Sequence, residues 1–246
     1  MKKLLSLFGI NRSSQQCMII GHRGASGYEP ENTLKSFERA IEMGVSMIEL
    51  DVYICASGEI VVIHDDSVDR TTDGTGLVED GTWEELRQLD AGNGQRVPQL
   101  IQVFNLVDKR VAINIELKGS NTPKPVADLI NTYVAKHQWS YDHFLISSFD
   151  HDLVEEFHEL CPEVKIGLLF EEQTLGVLDA VKRLKASYAI MDYYSVTKDF
   201  IADAHNQDIR VLGYTVNSKE VAEQLKEFGI DGIITDYPDI FTALVE

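Results

Sequence analysis

The stretch Met47-Ile48-Glu49-Leu50-Asp51-Val52 and the run Ile60-Val61-Val62-Ile63-His64 that follows it decide how this chain folds. Side chains alternate along a strand, so Ile48, Leu50 and Val52 share one face while Glu49 and Asp51 share the other. If the second face meets water, the strand is an ordinary half-exposed one. If it faces the interior, two like charges repel and each is costly to desolvate, so something positive must sit between them. The connection Ile54 to Glu59 falls short of the crossover of about a dozen residues that a parallel pair requires. The two runs should therefore form an antiparallel hairpin turning at Ala56-Ser57-Gly58. That register brings His64 opposite a residue between 49 and 51, beside the carboxylate pair.

Outward from this hairpin, short apolar runs alternate with helical patterns. The other strand candidates are 17–21, 111–117, 143–149, 165–170, 188–194, 210–216 and 232–236. Helical periodicity lies between most of them: Asn32 to Met43 with Asn32 as cap and Gly44 as stop, then 125–137, 152–160, 175–184, 198–206 and 218–228. Repeated strand–helix alternation predicts a parallel sheet covered by helices. With His64's strand set aside, eight strands can be parallel, and no GxGxxG follows the first of them. The fold expected is α/β, a (β/α)8 TIM barrel distorted by the antiparallel hairpin strand.

Composition agrees. The chain has 246 residues and 44% hydrophobic content, enough for one large α/β domain over 1–246. No apolar run reaches the roughly 18 residues that span a bilayer, so no stable membrane insertion is expected. A net charge of −18 without an offsetting Lys/Arg cluster argues against nucleic acid and anionic membrane as partners. Cys17, Cys55 and Cys161 are widely spaced and form neither a disulfide framework nor a zinc pattern, which points to a reducing cytoplasm. The N-terminus resembles a secretion leader, with Lys2 and Lys3 ahead of an apolar Leu4 to Ile10, but lacks a small-x-small cleavage site. Export by this route is the alternative to a cytoplasmic location.

Polar residues gather at the carboxyl ends of the predicted strands, the rim where barrel chemistry sits. His22 and Arg23 end the first strand, and Ile113-Asn114-Ile115-Glu116-Leu117-Lys118 repeats the anomaly of the opening stretch. Each feature alone has a plain reading: a structural histidine, a same-face Glu–Lys ion pair, a solvated carboxylate. Together they converge on one rim with complementary chemistry. Glu49, Asp51 and Glu116, without sulfur ligands, make an oxygen-rich site for a hard divalent cation, Mg²⁺ or Ca²⁺. Asp69-x-Thr71-x-Asp73-Gly74 imitates a calcium loop but has Asp80 where such a loop needs a bidentate Glu, and it is set aside.

These residues carry a resemblance. HRG (22–24), PENT (30–33), ELDV (49–52), VIHD (62–65), the RTT-x-G-x-G segment (70–76), LDAG (89–92), IELK (115–118), SSF (147–149), TVN (215–217) and TDYP (235–238) resemble, in order, the glycerophosphodiester phosphodiesterase family. The resemblance implies a small inserted module, here about 66–98. It implies metal-dependent hydrolysis of glycerophosphodiesters, such as glycerophosphocholine or glycerophosphoethanolamine, to glycerol 3-phosphate and an alcohol. Carried over by residue, it makes Glu49, Asp51 and Glu116 the metal ligands and His22 and His64 the acid/base pair. Its nucleophile is first the glycerol 2-hydroxyl, giving a cyclic phosphate that water opens. Arg23 and Lys118 would bind phosphate, and with a divalent ion they turn the local charge positive despite the three carboxylates. Three departures stand out, one of them a short stretch between Gly92 and Val97 in the insertion. The family's I-P-T-L-E-E is Val97-Pro98-Gln99-Leu100-Ile101-Gln102, which should lose a polar contact at the insertion's edge, and the Trp of W-T-V-N is Tyr214. The rival readings are a lysophospholipase-D-like enzyme, which should carry a long apolar insertion, and a non-catalytic phosphate-binding barrel, against which the intact rim residues count.

Overall fold

The computed structural model describes residues 17–172 and 176–244. The leader-like segment at the N-terminus lies outside them. Nine strands are present among the described residues: β1 Met18–Gly21, β2 Met47–Ile54, β3 Ile60–Val62, β4 Ala112–Leu117, β5 Phe144–Ser148, β6 Lys165–Phe170, β7 Tyr188–Asp192, β8 Arg210–Tyr214 and β9 Gly232–Thr235. Their order is β1-β9-β8-β7-β6-β5-β4-β2-β3, and a further β1–β2 pairing closes the sheet. All pairs are parallel except β2–β3. The molecule is a (β/α)8 barrel with one extra hairpin strand.

Strand lengths explain the extra strand. β1 has four residues and β2 has eight, so β1 covers only the start of β2, pairing Ile20 with Met47 and Gly21 with Ile48. The rest of that edge would expose unpaired backbone. β3 covers it, with Val52 opposite Val62 and Ile54 opposite Ile60, and Ile63 N donates to the Asp51 carbonyl at 3.0 Å. Regular pairing ends at Val62, and the chain runs on in register to His64.

The barrel wall separates two apolar layers. Ile48, Leu50, Val52, Ile113 and Ile115 pack outward under the helices, while Met47, Ala112, Leu145, Tyr188, Ile190, Leu212 and Ile234 fill the barrel interior. Strand alternation therefore turns Glu49 and Asp51, and likewise Asn114 and Glu116, inward. Water is not what faces the carboxylates of the opening stretch. A third cluster of Ile63, Val68, Val78, Leu86, Ala91 and Val97 underlies the segment between β3 and the helix at Leu100–Val107.

Two local readings need correction. The helix expected over 32–43 runs from Leu34 to Glu42 and is capped by Thr33, whose side chain accepts from Ser36 N. Asn32, the expected cap, takes the left-handed conformation (φ 58°) and turns inward instead. Two cap-competent residues stand side by side, and the extended one, three residues before Ser36, takes the role. A helix at Leu100–Val107 goes unread in the sequence because its apolar run resembles the other strands, yet Leu100, Val103, Phe104 and Val107 are its buried face. Gln102 Oε1 accepts from Gln99 N at 2.9 Å and caps this helix. The set-aside calcium-like loop is spent on turns: Asp69 accepts from Gly76 N and Asp73 from Asp90 N.

Gly24 shows how tightly the loop after β1 sits on the first helix. Its φ is +88°, and an added Cβ would lie 2.6 Å from the carbonyl carbon of Ser36. Gly24→Ala therefore meets both a strained backbone and a backbone clash, which should cost about 2 to 4 kcal/mol. Thermal denaturation should show a fall of roughly 5 to 15 °C. A melting temperature within a degree or two of the parent would mean the loop is not packed this way.

Candidate active site

Adjoining strands β2 and β4 bring three acids together. Glu49, Asp51 and Glu116 are 3%, 1% and 8% exposed, and one oxygen from each lies within 4.8 Å of the others. Strand register sets the distances, since Asp51 pairs with Glu116 and Glu49 with Asn114. Burial, then the charges of Asp51 and Glu116, push the Glu49 carboxyl well above its ordinary range. Burial and Asp51 push Glu116 up to about 7. Such a cluster demands positive charge.

The loop after β1 supplies part of it. Arg23 is left-handed (φ 51°), a sparsely populated conformation for a side-chain-bearing residue, and this aims its N–H at Glu49 Oε2, 2.9 Å away. Its Nε lies 3.5 Å from Asp51 Oδ2 and is buried without a hydrogen-bond acceptor. Asn32 donates from Nδ2 to Asp51 Oδ2 at 2.9 Å, which is what its inward turn accomplishes. At the other end of the cluster, Lys118 Nζ donates to Glu116 Oε1 at 2.8 Å and stands 3.7 Å from Asp51. Burial works against the Lys118 ammonium, but Glu116, Asp51 and Glu49 outweigh it and raise its pKa.

Both histidines flank this cluster, and each is held by an aspartate. His22 Nδ1 lies 2.6 Å from Asp236 Oδ1, and Asp236 also accepts from Ser26 Oγ and from Asn217 Nδ2. Burial raises the Asp236 pKa, but the bonds from His22, Ser26 and Asn217 prevail and hold it near 2. His64 Nδ1 lies 2.6 Å from Asp65 Oδ1, and its Nε2 is 3.3 Å from Lys118 Nζ. A carboxylate only accepts, so each aspartate fixes a proton on Nδ1 and leaves Nε2 for chemistry. Burial depresses the His64 pKa despite Asp51 and Asp65.

Between these groups opens a cleft of about 240 Å³. The histidines, Arg23, Lys118, Glu49 and Glu116 line it together with the apolar Phe149, Leu169 and Tyr214. Tyr214 donates to the Phe170 carbonyl at 3.0 Å and meets Phe149 edge to face at 5.9 Å. Two charged carboxylate-binding groups, a pair of proton-transfer groups and an apolar wall suit an anionic ester with a carbon skeleton. The oxygen-only donor set fits a divalent cation held by Glu49, Asp51 and Glu116.

Known proteins share this arrangement of chain and barrel. A family model described as the glycerophosphoryl diester phosphodiesterase family matches residues 22–240. The chain belongs to this family. The glycerophosphodiester phosphodiesterase of Caldanaerobacter subterraneus is 36% identical over 236 residues, covering 93% of this chain and 97% of its own length. A Bacillus subtilis glycerophosphodiester phosphodiesterase is 30% identical over 253 residues, covering 93% and 86%. Among solved structures, an Oleispira antarctica phosphodiesterase in complex with the product sn-glycerol-3-phosphate superposes with a TM-score of 0.84 at 28% identity, covering 94% of this chain and 97% of that one.

Six of the seven expected rim residues line this cleft, and the seventh, Asp51, stands behind it within 4.8 Å of Glu49 and Glu116. Nothing in the apolar periodicity singles out Asp65, Asp236, Asn32, Glu31 or Arg70, which support them. The only signal was their place inside VIHD, TDYP, PENT and RTT. Glu31 accepts from Arg23 Nη1 at 2.7 Å and from Arg70 Nη1 and Nη2, each at 2.8 Å.

Burial alone would raise the Glu31 pKa, but these two arginines bring it from 4.5 down to about 2. A carboxylate with a depressed folded pKa stabilises the fold above its unfolded pKa, and that contribution fades as pH falls toward the folded one. The displacement corresponds to about 3 kcal/mol at neutral pH as an upper figure. Glu31→Gln should therefore be less stable than the parent at pH 7, and the gap should close between about pH 5 and 2. Urea denaturation of both proteins across that window measures it, and a gap independent of pH would show that the arginines do not hold Glu31 ionised.

Proposed function

We propose that the cleft hydrolyses glycerophosphodiesters with His22 and His64 as the acid/base pair, Arg23 and Lys118 as phosphate ligands, and Glu49, Asp51 and Glu116 as metal ligands. The overall reaction is that of the family: a glycerophosphodiester and water give glycerol 3-phosphate and an alcohol. The observation that carries the assignment is the pair of aspartate-held histidines on either side of one buried three-carboxylate cluster.

The charges of Arg23 and Lys118 draw the diester into a chain whose net charge of −18 would otherwise repel it. One histidine takes a proton from the attacking hydroxyl through its Nε2, and the other gives a proton to the alkoxide as the phosphorus–oxygen bond breaks. The aspartates keep the imidazoles in the tautomer and orientation this needs, and they stabilise each imidazolium. Phe149 and Tyr214 shelter the carbon skeleton from water. A divalent cation, when bound, supplies electrostatic stabilisation of the charge that builds on the phosphoryl oxygens. The hard oxygen donors favour Mg²⁺ or Ca²⁺. We read the chain as one barrel domain over 1–246 with an insertion at about 66–98, supported by the small separate cluster beneath that segment. Its place in a reducing cytoplasm is supported by the three free, buried cysteines. Among the described residues no helix is long and apolar enough to cross a membrane.

Two sets of measurements test this reading. The parent should lose activity on glycerophosphocholine after chelation and regain it with a divalent cation, which should also raise its melting temperature by mass action. Glu49→Gln should fold without metal as well as the parent, since it relieves repulsion, yet be inactive and show no metal-induced rise. Full activity after rigorous chelation, or a Glu49→Gln protein that keeps both properties, would remove the ion from the site. Arg23→Ala and Lys118→Ala should each lower kcat/KM by more than about tenfold, a loss above about 1.4 kcal/mol. Near-parental kinetics in both would place the phosphate elsewhere.

A further inference from the structure

One side chain outside the cleft supports two groups inside it. Arg70 belongs to the inserted module, and its fork spans two carboxylates. Nε and Nη2 donate to Asp65 at 2.6 and 3.0 Å, while Nη1 and Nη2 donate to Glu31, both at 2.8 Å. Asp65 is the residue that holds His64 Nδ1, and Glu31 is the residue that receives Arg23 Nη1. A continuous path of short hydrogen bonds thus runs from His64 through Asp65, Arg70 and Glu31 to Arg23. Its members come from three separate parts of the chain: the loop after β1, the segment after β3, and the insertion.

We propose that Arg70 is a positioning residue for the hydrolysis: it fixes Asp65 and Glu31 relative to each other, and through them fixes His64 relative to Arg23. The inserted module thereby completes a site whose reacting groups all lie on the barrel. This rests on the reading of His64 as an acid/base group. The side chain of Arg70 is 48% exposed, and half-exposed ion pairs ordinarily contribute little to stability. What all three of its nitrogens provide is geometry, because a planar fork sets the angle between two carboxylates and a lysine ammonium cannot. Asp65 is itself 26% exposed. Released from Arg70 it can turn to water, and His64 is then free to change tautomer and rotate Nε2 away from Lys118 and the cleft.

The test combines kinetics on glycerophosphocholine with melting temperatures for Arg70→Met, Arg70→Lys, Asp65→Asn, Glu31→Gln and the Asp65→Asn/Arg70→Met double variant. Asp65→Asn should lower kcat by about a hundredfold, the scale of a misdirected acid/base group. Arg70→Met should lower kcat at least tenfold or so with only a modest fall in melting temperature, and Arg70→Lys should recover stability but little of the kcat. Glu31→Gln should act chiefly on KM, through Arg23. The double variant should have the kcat of Asp65→Asn alone, because both changes break one path. Parental kcat and KM in Arg70→Met would overturn the proposal. So would a double variant whose losses multiply, since Arg70 would then act independently of Asp65. If Arg70→Met does not fold, parental kinetics in Arg70→Lys overturn it equally. His64→Ala separates the two readings: an active His64→Ala rejects the acid/base assignment, whereas an inactive one beside a normal Arg70→Met rejects only the positioning role.

Discussion

Three carboxylates held inside the mouth of the barrel are the constraint to which the rest of the site answers. Glu49, Asp51 and Glu116 sit on adjoining strands whose hydrogen-bond register leaves them no freedom to separate. In water their repulsion would be small, but here they are almost fully enclosed, and each charge loses its hydration as well. Everything polar nearby reduces that cost. Arg23 adopts an unfavourable backbone conformation to present its N–H to Glu49, Asn32 gives up a helix cap to reach Asp51, and Lys118 folds back onto Glu116. Even so, burial and mutual repulsion keep the Glu49 and Glu116 carboxyls above the usual carboxylate range, so the protein's own cations do not complete the neutralisation. A divalent cation would complete it. Binding of metal and binding of substrate phosphate are then two parts of one electrostatic problem.

The mouth divides along the strand order. The ends of β1 to β4 carry the acids, bases and cations, while β5, β6 and β8 contribute Phe149, Leu169 and Tyr214. Low-dielectric surface on one side strengthens the fields from the other, which is one reason to keep polar residues off the aromatic half. Tyr214 is held in this wall by its hydroxyl, which donates to the Phe170 carbonyl, and by its edge-to-face contact with Phe149.

Much of this was legible in sequence because it rests on period and length. Alternation put Glu49 and Asp51 on one face, and a connection too short to cross over made β3 antiparallel. Those two inferences brought His64 to the carboxylates. What sequence did not show were the roles of Asp65 and Asp236. A short acidic side chain beside a histidine is common, and only folding reveals that its oxygen meets Nδ1. Arg70 and Glu31 were hidden for a different reason: their contact joins residues 39 apart through two irregular segments, where no periodicity constrains direction. Asn32 was misplaced because Asn and Thr both cap helices well, and local propensity says nothing of the buried Asp51 that competes for the amide. The helix at Leu100–Val107 was lost in an apolar run whose spacing serves strand and helix alike.

The hairpin is the one departure from a regular barrel, and it is also the source of the chemistry on that side. A β1 as long as β2 would have paired along the whole edge and left no place for β3. Because β1 stops at Gly21, the upper edge of β2 needs another strand, and an antiparallel one can arrive by a tight turn. Antiparallel entry reverses the chain, so β3 runs from the turn back toward the level of Asp51 and hands over His64 there. The next residues cannot continue down the barrel, where β1 already occupies the edge. They must leave the wall, and the segment that leaves is the inserted module, with Asp65 and Arg70 at its first bend. Antiparallel β3, the place of His64 beside the carboxylates and the departure of the next segment from the wall all follow from a single mismatch in strand length.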